Sequence, residues 1–394
     1  MASARPFEAG SRILHIGPPK TATSSLQGAM HISREALAEH GVRYAGPTRH
    51  ARSAATFAAL GRVPAENSPR SGKVWRKLAE EIRTADERLV FASSEAFSMA
   101  RAPEVDTIVR DVGGAPQIVI TIRPLAVMLA SSWQQRVRNE GVKGFEAWLR
   151  SLFAKDGSGV MRAWFWERYG LSQLIDRWGA AVGPENITVV VLDPSDRSML
   201  LRSFDELLGL PADTLQPDTQ NKNESLPYPE IEVLRHFNKL YTASGGDRVE
   251  WVDTVRRHAL LRVRTAEEQV FQASRIDTPR WAARAANEVV EGWITVLETS
   301  GVRVLGDPTH MLVSPDSFPE SVAVPRTVST ESAARLALLM YEAARDHFGG
   351  TEEVEDDNTA VDSGDDEPAP AASAQRRPKP VAARMRAALR VLRG

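Results

Sequence analysis

The chain contains no cysteine. That absence excludes disulfides, thiolate nucleophiles and thiolate-bound zinc or iron-sulfur centres together. Long apolar runs are missing too: nothing reaches the roughly eighteen consecutive apolar residues that a membrane-crossing helix needs. The first ten residues are small, polar and mixed in charge, without a secretory pattern, so a cytoplasmic protein is expected. Excess charge of either sign is lacking. The 49 Lys and Arg nearly balance the 51 Asp and Glu, for a net charge of -2, which gives no global attraction to nucleic acid and no expectation of a nucleic-acid partner. What remains is an ordinary globular composition, with 42% hydrophobic and 25% charged residues in a 394-residue chain able to bury a large core.

One stretch stands out against that background: His15-Ile16-Gly17-Pro18-Pro19-Lys20-Thr21-Ala22-Thr23-Ser24-Ser25-Leu26-Gln27. An apolar strand, Arg12 to Leu14, leads into it, and a helical pattern from Gly28 to Leu37 leaves it. A strand, a turn rich in Gly, Pro and hydroxyls, and then a helix is the arrangement that presents unpaired N–H groups and a helix dipole to an anion. Lys20 adds a full positive charge, and Thr21, Thr23, Ser24 and Ser25 add hydroxyl donors. His15, on the strand before the turn, reads as a satisfied core residue rather than a base.

Short apolar runs then alternate with helical patterns. Strands are expected at Val42–Ala45, Arg88–Ala92, Gln117–Ile122 and Ile187–Leu192, with a polar, Pro-containing excursion from Arg49 to Ser71. Helices are expected over 74–84, 103–112, 124–138, 145–153, 171–181, 198–208, 229–242, 249–273, 281–299 and 330–348, while Val302–Val313 fits neither period. The fold class is therefore α/β, with a mostly parallel central sheet of about four to five strands flanked by helices and a helix-rich second half. Ligands of such sheets sit at the carboxyl ends of the strands, which places Gly17–Ser25, Glu95 and Arg123 on one rim. Trp133, Trp148, Trp164, Phe165, Trp166 and Trp178 read as core more than as a sugar platform, with Trp164–Trp166 where an acceptor cleft could open.

The folded body is expected over residues 1–350. Residues 351–374 form an acidic, then Ala/Pro-rich linker expected to be disordered, and 375–394 a basic tail. In the tail Val381, Met385, Leu389 and Leu392 fall at helical spacing among arginines. Such a segment suits an anionic membrane or an acidic protein surface, although an unstructured tail whose two halves attract each other accounts for the same composition.

The loop departs from that of nucleoside triphosphatases, in which two glycines are followed at once by Lys and then Ser or Thr. Here Lys20 is only three residues past Gly17, and Asp193 is the one strand-end aspartate available for magnesium. A magnesium-dependent P-loop kinase is thus one reading, and a nucleotide-binding or scaffold protein without turnover is another. The stretch from Pro19 to Leu26, however, resembles the loop Pro-Lys-x-Gly-Thr-x-Ser/Trp-Leu of the sulfotransferases that use 3'-phosphoadenosine 5'-phosphosulfate (PAPS). Arg123 at a strand end, with Ser131 eight positions on, resembles the same family's 3'-phosphate motif. The resemblance runs from about Arg12 to Leu226.

It implies a P-loop-like three-layer fold, PAPS as co-substrate, no metal, and a hydroxyl acceptor on a small molecule or carbohydrate. Pro19, Lys20, Thr21, Ala22, Thr23, Ser24 and Ser25 would hold the 5'-phosphosulfate, with Lys20 stabilising the leaving phosphate. Arg123 and Ser131 would hold the 3'-phosphate, unless Arg123 pairs with a surface carboxylate. Lys222 or Asn223, in Asn221–Leu226, would contact the 3'-phosphate or adenine, or else belong to a polar helix cap. Glu95 is the expected base, as in family members acting on sugars, although a Glu after two serines could instead cap the next helix. Two features depart from the family. Ala22 stands where a Gly is usual, and the Arg-Lys-Gly triplet of animal cytosolic members is absent.

Overall fold

Residues 5–49, 51–60, 71–154, 160–219, 226–259 and 275–348 are described by a computed structural model of the chain. Six strands form one sheet: β1 (Ser11–Gly17), β2 (Val42–Tyr44), β3 (Leu89–Ser93), β4 (Gln117–Ile122), β5 (Ile187–Val191) and β6 (Arg303–Leu305). Their order is β2-β3-β1-β4-β5-β6, and every neighbouring pair is parallel. The helices are α1 (Thr23–Ile32), α2 (Arg34–Glu39), α3 (Arg52–Leu60), α4 (Ser71–Thr84), α5 (Ala102–Asp111), α6 (Leu125–Arg138), α7 (Phe145–Phe153), α8 (Val160–Tyr169), α9 (Leu171–Val182), α10 (Met199–Leu208), α11 (Tyr228–Ala243), α12 (Arg248–Trp251), α13 (Arg280–Thr299) and α14 (Thr330–Phe348). The expected α/β class with a helix-rich second half is what the chain adopts. Among the described residues no helix is long and apolar enough to cross a membrane.

Differences from the sequence expectation have local causes. The sheet has six strands rather than four or five, because β6, inside the stretch that fitted neither period, is only three half-buried edge residues and too short to carry a period. The single helix expected from Gly28 to Leu37 is broken at Ser33 (φ -92°, ψ 14°) into α1 and α2, and the Ser33 hydroxyl accepts the N–H of Gln216 at 3.2 Å. Within the polar excursion after Arg49 lies α3. Alanine is the strongest helix former, and here Ala54, Ala55, Ala58 and Ala59 are all buried. The long helix expected over 249–273 is α12 continued by a π-helical segment, Val252–Ala259, and the rest of that span lies outside the described residues.

The chain divides into two compact units. The first comprises Met1–Met128, Lys155–Lys222 and Arg280–Phe318; the second comprises Leu129–Ala154, Asn223–Pro279 and Pro319–Gly394. The first holds the whole sheet. The four inner strands β3, β1, β4 and β5 are buried almost end to end, as a parallel sheet covered on both faces requires. One core cluster runs through Ile13, Leu26, Phe91, Val119, Val190 and Phe204. The ring of Phe204 meets Phe91 edge-on at 5.8 Å.

In the second unit, Trp133 is fully buried against Phe145 (5.2 Å between centroids) and Tyr228 (5.8 Å), and its indole N–H is satisfied by the Lys143 carbonyl at 2.9 Å. Asn238, also fully buried, donates to the carbonyls of Val137 (2.8 Å) and Gly141 (3.1 Å) and accepts from Trp251 Nε1 (3.1 Å). One amide thereby ties α11 to the end of α6 and to α12, satisfying polar groups that would be costly if left unpaired. The core assignment of the aromatics holds for Trp133, Trp148, Phe165 and Trp178, whereas Trp164 and Trp166 are half-buried.

Candidate functional site

The loop after β1 sits where the sheet changes direction. Strand β1 connects onward to β2 on one side, and its neighbour β4 connects to β5 on the other, so the crevice at their carboxyl ends is a topological switch point. Strand β1 is bulged between His15 and Gly17, which re-aims its last residues. Gly17 has φ 78°, and a Cβ there would lie 3.1 Å from Cα and Cβ of Glu95, so both its backbone angle and this approach require glycine. The same contact puts Glu95 directly beside the loop.

Beyond the two prolines the backbone turns left-handed twice, at Lys20 and at Ala22, each with φ 67°. Left-handed residues set among right-handed ones curl successive N–H groups toward one side and form an anion-binding concavity. Ala22 (ψ 18°) is also the N-cap of α1, and its methyl group offers no side-chain cap bond. The N–H groups of Ser25 and Leu26 both turn back to the Ala22 carbonyl at 3.1 Å, while those of Ala22, Thr23 and Ser24 have no acceptor among the described residues. Three adjacent donors at a helix N-terminus, with Lys20 half-buried beside them, are an arrangement able to donate hydrogen bonds to an anion's oxygens.

The hydroxyls divide into two sets, which the residue types alone do not separate. Ser24 is half-buried and Ser25 exposed. Thr21 is 0% exposed, donates to the Pro18 carbonyl at 2.6 Å and meets Thr121 Oγ1 at 2.9 Å. Thr23 is likewise buried. Of the four hydroxyls expected to reach the ligand, the Thr21 and Thr23 side chains therefore face the interior. The α1 flank is held by Arg49, which pairs with Asp218 and donates to the Ser24 carbonyl at 3.2 Å. A Cβ at Gly28 would come within 2.9 Å of the Asp218 Cβ, so this glycine leaves room for the pair.

Two charged groups flank the loop. Glu95 opens a 3-10 turn, Glu95–Met99, after β3. That turn is capped by the Ser94 hydroxyl, which accepts the Ala96 N–H at 3.2 Å. Ser94 in turn donates its N–H to the His15 carbonyl at 3.0 Å, fixing the segment to β1. On the other side Arg123 follows β4 and is half-buried. Burial lowers its pKa from the ordinary value, and among the described residues it forms no hydrogen bond or ion pair. A guanidinium taken partly out of water without a counter-charge is costly unless an anion completes it.

The chain is similar in structure to a solved sulfotransferase. That protein, from Alicyclobacillus acidocaldarius, shares 20% identity and a TM-score of 0.36 with this chain, covering 63% of this chain and 96% of its own. No protein-family model and no curated protein matches the chain.

Of the remaining expected residues, Pro19 is buried in the loop. Ser131 lies on α6, half-buried, and belongs to the second compact unit. Lys222 and Asn223 lie outside the described residues, as does the tail 351–394 with its expected membrane or protein contact. Asp193 at the end of β5 accepts from the N–H (2.8 Å) and hydroxyl (2.7 Å) of Ser195, and β4 stands between its strand and β1. Thr121, Ser93, Arg49 and Asp218 were not expected to matter. Thr121 carried a readable signal, a lone hydroxyl within the apolar run Ile118-Val119-Ile120-Thr121-Ile122; Arg49 and Asp218, far apart in sequence, carried none.

Proposed function

We propose that the chain is a sulfotransferase that moves a sulfuryl group from PAPS to a hydroxyl of a small-molecule or carbohydrate acceptor. The observation that carries this reading is the half-buried Arg123, with no counter-charge among the described residues, at the end of the strand next to the one that leads to three N–H donors at the head of α1. Two anionic groups, one at each, would satisfy both. A nucleotide phosphorylated at both ends has the 5'-phosphosulfate for the loop and the 3'-phosphate for the arginine, whose planar fork suits a phosphate monoester.

In the reaction the acceptor oxygen bonds to sulfur as the bond from sulfur to the 5'-phosphate oxygen breaks, and the electron pair leaves with that oxygen. Lys20 donates a hydrogen bond to it as its charge grows, and the N–H groups of Ala22, Thr23 and Ser24 hold the other oxygens in line. Glu95 takes the acceptor's proton. The products are the sulfated acceptor and 3'-phosphoadenosine 5'-phosphate (PAP). A cleft of about 400 Å³ lies past the 3-10 turn that Glu95 opens, between Met99, Arg101, Glu167 and Arg177. Arg177 shapes it by donating to the carbonyls of Ser98 and Ala100 at 3.0 Å. The charged side chains at its wall, Arg101, Glu167, Asp176 and Arg177, suit a polar acceptor such as a sugar.

Calorimetric titration of PAP into wild type, Lys20→Ala and Arg123→Ala tests the reading. Wild type is expected to bind without added metal, and each variant to bind at least tenfold more weakly, the loss that one charged hydrogen bond represents at ~1.5 kcal/mol or more. No binding by wild type at millimolar PAP would overturn it.

A further inference from the structure

A continuous hydrogen-bond path runs under the loop. Gln27 Nε2 lies 3.0 Å from the Ser93 carbonyl and 3.3 Å from Ser93 Oγ; Ser93 Oγ lies 2.8 Å from His15 Nδ1; His15 Nε2 lies 3.0 Å from Thr121 Oγ1; and Thr121 Oγ1 lies 2.9 Å from Thr21 Oγ1, which is 2.6 Å from the Pro18 carbonyl. Every side chain on it is buried.

The direction of each bond follows by elimination, starting at Pro18. A carbonyl only accepts, so the one Thr21 hydroxyl proton points at Pro18. Thr21 Oγ1 must then accept from Thr121, which spends the one Thr121 proton, so Thr121 Oγ1 must accept from His15 Nε2–H. A neutral imidazole protonated at Nε2 has a bare Nδ1, which accepts from the Ser93 hydroxyl, and Ser93 Oγ is left to accept from Gln27. No atom is asked to donate twice with one proton. The tautomer of His15 is thereby assigned by its partners.

The path ends at the place where the loop is hardest to hold. Pro18 and Pro19 have no N–H, so the turn is held through carbonyls, and that of Pro18 accepts from Thr21 Oγ1 at 2.6 Å and more distantly from Thr23 Oγ1 at 3.5 Å. The five side chains come from β1, β3, β4, the loop and α1, so the path joins the carboxyl ends of the three central strands to the turn they support. Phe91 and Phe204 flank the imidazole at 6.5 and 5.7 Å, and among the described residues burial alone shifts its protonation.

We propose that His15 is a positioning residue: as the neutral Nε2–H form it orders the path from Gln27 to Pro18 and so holds the anion loop in its phosphate-binding shape. What this does for PAP rests on the sulfotransferase reading; the proton order and the hold on the loop do not.

The test uses the full chain in three measurements. Imidazole nitrogen NMR of wild type is expected to show the Nε2–H tautomer, unchanged from about pH 7.5 to about pH 5; an Nδ1–H or averaged imidazole would overturn the proposal. Thr121→Val removes two bonds of the path at nearly constant shape. It is expected to raise amide hydrogen exchange of residues 17–26 about tenfold, as the loss of one or two net hydrogen bonds predicts, with α9 unchanged and with Thr121→Ser restoring the wild-type pattern. Exchange unchanged in the loop, or raised uniformly, would overturn it. If Thr121→Val does not fold, Ser93→Ala breaks the path at its other side, and the tautomer is read on wild type regardless. PAP titration is expected to show about tenfold weaker binding for Thr121→Val and recovery within about twofold for Thr121→Ser. Equal affinity of wild type and Thr121→Val would overturn the positioning role. Failure of wild type itself to bind PAP would instead sink the sulfotransferase reading and leave the His15 proposal to the first two measurements.

Discussion

At Ala22 the loop carries a methyl group in a left-handed conformation, φ 67°, that costs an L-residue of order 1 kcal/mol. Ala22→Gly relieves that cost, offset in part by the greater freedom of glycine in the unfolded chain. A gain of up to about 1 kcal/mol is expected by denaturant titration, with PAP affinity within about twofold of wild type, since the N–H at that position is kept. Glu95 obeys a different logic. It sits beside Gly17, at the head of a turn that Ser94 caps, and in the proposed reaction it takes the acceptor's proton. Glu95→Gln is expected to lower transfer by about a hundredfold to ten-thousandfold while PAP still binds, which stopped-flow or end-point sulfation assays beside calorimetry will read. Equal loss of both would assign Glu95 to binding instead.

At the scale of the elements, β1 and α10 contribute opposing pH dependences. Burial pushes the His15 pKa from 6.5 down to about 3, so the folded state resists a proton that the unfolded state takes up. The stability His15 contributes is complete above pH 6.5 and is lost as pH falls from there toward 3, at about 1.4 kcal/mol per pH unit. Asp205 on α10 is 3% exposed, and burial pushes its carboxyl from 3.8 up to about 6, against the N–H of Leu215 that it accepts at 3.1 Å. Its folded form prefers the proton, so its contribution is full below pH 3.8 and is lost as pH rises through 6. The two slopes offset each other between about pH 4 and pH 6. Relative to wild type, His15→Gln is expected to lose stability less on acidification and Asp205→Asn to lose more, as denaturant titrations at about pH 7, 5 and 4 will show. Between these groups Phe204 packs on both His15 and Phe91, and Phe204→Ala is expected to cost about 3 to 5 kcal/mol.

For the whole molecule, ligand binding is the test that reaches beyond single positions. PAP at a hundredfold over its dissociation constant is expected to stabilise the unit holding the sheet by about 2.7 kcal/mol, seen as a rise in melting temperature. Hydrogen exchange should slow at residues 22–24, where the N–H groups have no acceptor among the described residues, and should leave α9 and β6 as they were. Protection confined to any other segment would place the nucleotide elsewhere.

The sequence by itself determined the periodic parts of this protein. Five of the six strands, the helices whose apolar stripes span several turns, and the strand-turn-helix around Lys20 were legible because period and turn chemistry are local properties. Arg123 was legible as well, since a strand that stops at Arg-Pro puts its charge on the rim that the loop also occupies. Only the tertiary structure decided which hydroxyls of the loop look inward. Thr21 and Ser25 are alike as residue types, and what separates them is Thr121, a hundred residues away from Thr21, arriving beside it on β4. The same holds for His15, whose protonation is set by Ser93 and Thr121 on the two strands beside its own, and for Arg49, which finds Asp218 across α1. A hydrogen-bond partner is fixed by where two chain segments meet, and sequence spacing carries no record of that meeting.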